Sequence, residues 1–95
     1  MDLGKAIKEL RKTQGLSQAQ LSDAAGITQA ALSQIERGKR PGSGTLTKLS
    51  KALKVPESLI YVLGMERDEV AREKQELYDD LFPVIQSMIS RIAMK

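Results

Sequence analysis

The chain of 95 residues contains no cysteine, no histidine and no tryptophan. Without cysteine there can be no disulfide, no thiolate ligand for a metal and no thiol nucleophile. Without histidine there is no imidazole for zinc and no side chain that ordinarily titrates near neutrality. The remaining Asp, Glu, Lys, Ser and Tyr residues do not fall into a usual catalytic arrangement, so no enzyme, cofactor or metal site is expected. Aromatics are also scarce: Tyr61, Tyr78 and Phe82 all lie in the second half. A base-stacking platform for single-stranded nucleic acid is therefore unsupported. Long apolar runs are missing as well. The longest, Leu59 to Leu63, is far too short to cross a bilayer. Met1 to Lys12 is amphipathic and charged, unlike the apolar core of a signal peptide. A cytoplasmic protein with no membrane association is expected.

What is present begins with charge. The net +3 divides unevenly: residues 1–54 carry ten Lys/Arg against four acids, or +6, and residues 55–95 carry five against eight, or −3. The first part suits a polyanionic partner and the second does not.

The periodicity is helical almost throughout, and alternation of period two is nearly absent, which predicts an all-α fold. Leu3, Ala6, Ile7 and Leu10 share one face of a first helix from about Asp2 to Thr13, ended by Gln14-Gly15. Ser17-x-x-Gln20 forms a capping box that opens a second helix, with Leu21, Ala24 and Ala25 turned inward. Gly26 can take a left-handed turn at no steric cost. Thr28 then caps a third helix that buries Leu32 and Ile35 and stops at Gly38. After a basic loop broken by Pro41, Ser43 is expected to cap a fourth helix running to about Lys54. Pro56 sits in the first turn of a short fifth one ending at Gly64. Residues 1–65 thus read as one small helical domain. Residues 66–95 read as an extension, with a charged stretch from Arg67 to Asp80 and a last helix introduced by Pro83.

The twenty residues from Gln18 to Arg37 are helix, turn and helix. A turn this short lets the second helix enter the major groove of duplex DNA. The exposed face of that helix holds amides and small groups, as a surface that reads base edges requires. From Leu16-Ser17-Gln18-Ala19-Gln20-Leu21 through Ile35-Glu36-Arg37-Gly38-Lys39-Arg40, the chain resembles the Cro/CI-type helix-turn-helix family, also described as XRE-like or lambda repressor-like. Thr45 to Leu53 resembles that family's fourth helix, so the likeness covers residues 1–64.

The resemblance implies a five-helix DNA-binding domain and assigns roles by position. Gln29, Ala30, Ser33 and Gln34 would contact bases, Gln29 an adenine through its amide and Ala30 a thymine methyl. Gln18, Thr28, Arg37, Lys39 and Arg40 would contact phosphates. Arg11 and Glu36 match a pair that in some relatives is buried between helices one and three. Two positions depart from the family pattern: Ser22 stands where alanine is usual, and Ser43-Gly44 replaces a more apolar start to helix four.

The extension has too much apolar surface to remain exposed and too little to fold alone. Val84, Ile85, Met88, Ile89 and Ile92 lie at helical spacing. They are read as a homodimer interface in preference to a segment folded back on its own domain, because one helix-turn-helix touches only a half-site. The function expected is a dimeric repressor that binds double-stranded DNA at an inverted repeat. The alternative is an antitoxin-type protein whose residues 66–95 hold a protein partner.

Overall fold

Asp2 sets where the first helix begins. Its carboxylate accepts from the Lys5 backbone N–H at 3.0 Å, and α1 runs Leu3–Thr13 in the computed structural model, which describes residues 1–94. Arg11 and Lys12 sit in the last turn, where cations oppose the negative end of the dipole. Gly15, at φ +71°, reverses the chain. Ser17 and Gln20 satisfy each other's backbone N–H, at 3.0 and 2.8 Å, and open α2 (Gln18–Ala25). Gly26, also at φ +71°, closes it in the left-handed conformation. Thr28 accepts from the Ala31 N–H at 3.0 Å and starts α3 (Gln29–Glu36).

Next come α4 (Ser43–Leu53) and α5 (Glu57–Leu63). Here two expected helix starts shift by one residue. Gly42 and not Ser43 takes the cap position of α4, and its carbonyl accepts from the Leu46 N–H at 2.9 Å. Ser43 is the first helical residue, and no side chain caps this end. Pro56 likewise caps α5 in extended backbone and does not enter its first turn. The fixed φ of proline suits either place.

The last helix departs most from expectation. Two short 3-10 turns, Arg67–Glu69 and Arg72–Lys74, lead into α6, which runs Gln75–Ala93 with Pro83 in its interior. Proline removes one helical hydrogen bond, here the one to the Asp79 carbonyl. Asp79 and Pro83 are both exposed, so the missing bond falls on the solvent side of the helix. The turns before Pro83 are tied down by other contacts. Arg67 Nε donates to Asp79 at 2.8 Å, and Tyr78 donates its hydroxyl to the Met65 carbonyl at 3.1 Å. The Tyr78 ring stacks on Phe82 with centroids 4.8 Å apart.

All six helices feed one core. Ile7, Leu10, Leu21, Leu32, Leu46, Leu49, Leu53 and Ile60 are essentially inaccessible. α6 adds Ile89 and Ala93 to the same cluster, with Ile85 packed against it. The expected dimer stripe is therefore divided. Ile89, at 4 % exposure, belongs to the protein's own interior, and Ile85 is half-buried there. Val84, Met88 and Ile92 stay 55–60 % exposed. At 100° per residue Ile85 and Ile89 turn toward α1, about a quarter turn from the other three. Among the described residues there is no strand, and no helix is long and apolar enough to cross a membrane.

Candidate nucleic-acid interface

The turn between α2 and α3 is closed by a hydrogen bond from the Ile27 N–H to the Ser22 carbonyl, 3.0 Å. Leu21 and Leu32 are fully buried beneath it, and Ile35 nearly so. Ser22 fits the space between the helices: it is 3 % exposed and donates its hydroxyl to the Ala19 carbonyl at 3.1 Å. With one face of α3 fixed, the other is free. Thr28, Gln29, Ala30 and Gln34 are exposed, and Ser33 is half-exposed. The residues expected to meet bases thus share one solvent-facing surface.

At the far end of α3, Gly38 at φ +124° and the hydrogen bond from the Lys39 N–H to the Gln34 carbonyl turn the chain toward α4. Arg37, Lys39 and Arg40 are all exposed, and none takes part in an ion pair among the described residues. Gln34, Lys39, Arg40 and Thr45 line a shallow groove of about 190 Å³ beside α3, floored by Ile35 and Pro41. Polar donors and free cations next to one another can meet base edges and phosphate oxygens together.

Beneath this surface lies a buried polar network. Arg11 donates from Nε and Nη2 to the two oxygens of Glu36, at 2.7 and 2.9 Å, and from Nη1 to the Leu16 carbonyl at 2.8 Å. The Glu36 side chain is 3 % exposed and that of Arg11 11 %. Burial pushes the Glu36 carboxyl up, but the hydrogen bonds from Arg11 and Gln18, with the charges of Arg11 and Lys8, outweigh it and hold the carboxyl below its ordinary value. The Arg11–Glu36 pair implied by the family likeness is present and joins α1 to the end of α3.

Gln18, expected at a phosphate, stands at the start of α2 and donates Nε2 to Glu36 at 3.1 Å. An amide nitrogen carries two hydrogens, so one remains for another acceptor.

One positioning residue was not visible in the motif. Gly4 lets α1 approach the backbone of α3 so closely that a Cβ there would fall 1.9 Å from the Ile35 carbonyl oxygen. A glycine inside an otherwise regular helical pattern is the signal that marks such an approach.

Residues 7–60 match the family model described as helix-turn-helix. The HTH-type transcriptional regulator RghRB of Bacillus subtilis is 37 % identical over 93 residues, which cover 93 % of this chain and 67 % of that one. The HTH-type transcriptional repressor RghR of the same organism is 38 % identical over 90 residues, covering 80 % and 67 %. The competence pilus inhibition repressor of Acinetobacter baylyi is 35 % identical over 69 residues, covering 72 % and 63 %. No solved structure gives a significant match. The chain belongs to the Cro/CI-type helix-turn-helix family of DNA-binding transcriptional regulators, and is not an enzyme.

Proposed function

We propose that the protein is a cytoplasmic repressor that binds an inverted-repeat operator as a homodimer, with residues 1–65 on the DNA and residues 66–95 supplying the association. The observation that carries this reading is the exposed face of α3, where Gln29, Ala30, Ser33 and Gln34 lie beside three cations that have no carboxylate partner among the described residues. Amides on that face can make bidentate pairs with adenine in the major groove, and Arg37, Lys39 and Arg40 fix the register on the strands. One such module spans a half-site. Two, related by a two-fold axis, span half-sites about 34 Å apart. The exposed residues Val84, Met88 and Ile92 support pairing of two chains.

Selection of bound duplexes from a random pool is expected to return a sequence with two-fold symmetry. On that operator Gln34→Ala should cost about 1–3 kcal/mol per lost base contact, with binding to random duplex kept. An equal loss on random duplex would refute base reading by this face.

A further inference from the structure

Helix α6 carries more apolar surface than its own domain covers. Phe82, Ile85, Ile89 and Ala93 line the side turned inward, where three of the four are buried and Ile85 half-buried. A second row, Leu77, Leu81, Val84, Met88 and Ile92, runs along the adjacent side and is 49–60 % exposed. Scattered exposed leucines are ordinary, but five aligned along about 22 Å of helix are not. Their spacing of 4, 3, 4 and 4 keeps them on a single seam of the kind that packs against another helix.

The seam is self-complementary in one direction. Turned end for end about a point between Val84 and Ile85, it places Leu77 opposite Ile92, Leu81 opposite Met88 and Val84 next to its own copy. The flanking charges follow the same inversion. Glu76 and Asp80 lie on one edge toward the start of the helix, and Arg91 lies on that same edge near its end. Asp80 and Arg91 are exposed and take part in no ion pair among the described residues. In an antiparallel pair like edges meet, so Arg91 of one copy comes within a turn of Asp80 of the other. A parallel pair would instead bring both acidic ends together.

We propose that the occupant of this face is the same face of a second copy, packed antiparallel with its two-fold axis between Val84 and Ile85. The proposal rests on the homodimer reading above and adds its geometry. About 1,000 Å² in all would be buried, the lower bound for a specific interface, so dimerisation should be sensitive to dilution.

The chain has no cysteine, so an introduced one is unique. Leu77→Cys and Ile92→Cys fall at exposed positions and leave the core intact. In the antiparallel register the two Leu77 positions of a dimer are about 22 Å apart along the helices. Under mild oxidation Leu77→Cys alone should stay unlinked, while an equimolar mixture with Ile92→Cys should give a disulfide-linked heterodimer. Charge reversal offers an independent check. Asp80→Arg and Arg91→Asp should each weaken dimerisation about tenfold in sedimentation, and the double variant should recover most of it. A dimer in which Leu77→Cys links to itself, or in which the double reversal recovers nothing, overturns the antiparallel register and leaves the homodimer standing. A chain that is monomeric at every concentration overturns both.

Discussion

Replacing Glu36 by Gln tests the network that holds the DNA-facing surface in place. Both Glu36 oxygens accept from Arg11, and one also accepts from Gln18. A glutamine keeps one acceptor and turns an NH₂ group toward a guanidinium that can only donate. Hydrogen bonds to a charged partner contribute about 1.5–3 kcal/mol each, and removing one member of a buried ion pair costs about 3–5 kcal/mol. With one acceptor kept, about 2–4 kcal/mol is expected. That is a large part of the 5–15 kcal/mol typical of a folded domain. The sign of the pH dependence follows from the lowered carboxyl. A carboxyl whose folded pKa lies below its ordinary 4.5 stabilises the fold above that value, and the contribution disappears as pH falls through the folded pKa. Urea unfolding followed by circular dichroism at pH 7 should show the full difference between Glu36→Gln and the parent chain. In acid, once the parent carboxyl is protonated, the two should converge. A variant as stable as its parent at pH 7, or a gap that persists in acid, would refute the reasoning.

Two further outcomes are expected. Lys39→Ala should weaken binding to all duplexes alike and lower the salt slope by about one, as loss of a single phosphate contact does; an unchanged slope in a salt titration would contradict that role. Gly4→Ala should cost about 1–3 kcal/mol by forcing α1 away from the Ile35 carbonyl, read as a lower urea midpoint, and an unaltered midpoint would contradict the close approach.

The helix-turn-helix was legible because its signals are local. Ser17 with Gln20, Gly26 and Thr28 fix the ends of α2 and α3 through hydrogen bonds spanning three to five residues, and each occurs where the spacing places it. The extension was less legible because its ordering is not local. Arg67 to Asp80 looks like a solvated charged run, and the contacts that order its helical part link residues outside the helix to it: Arg67–Asp79, Tyr78–Met65 and Gln75–Val70. Pro83 read as a helix start for the same reason. Periodicity also merged two apolar sides of α6 into one, since Ile85 lies between Val84 and Ile89 on the helical wheel. Which of them the domain covers depends on where α1 lies, and no spacing rule contains that.

Gln18 shows how local and distant constraints combine at a single residue. Sequence position assigns it to a phosphate, while the fold gives its amide to Glu36. The two assignments are compatible, because a carboxylate can bond only to the nitrogen end of the amide and so fixes which end is which. The second N–H is then held in a set orientation before any ligand arrives. Arg11 neutralises Glu36, so the carboxylate that orients Gln18 does not repel an approaching phosphate at full charge. In this arrangement the buried pair belongs both to the core and to the surface: it joins α1 to α3, and through Gln18 it fixes the start of α2 relative to the recognition helix. Loss of Glu36 should therefore loosen the geometry of phosphate contact as well as the fold.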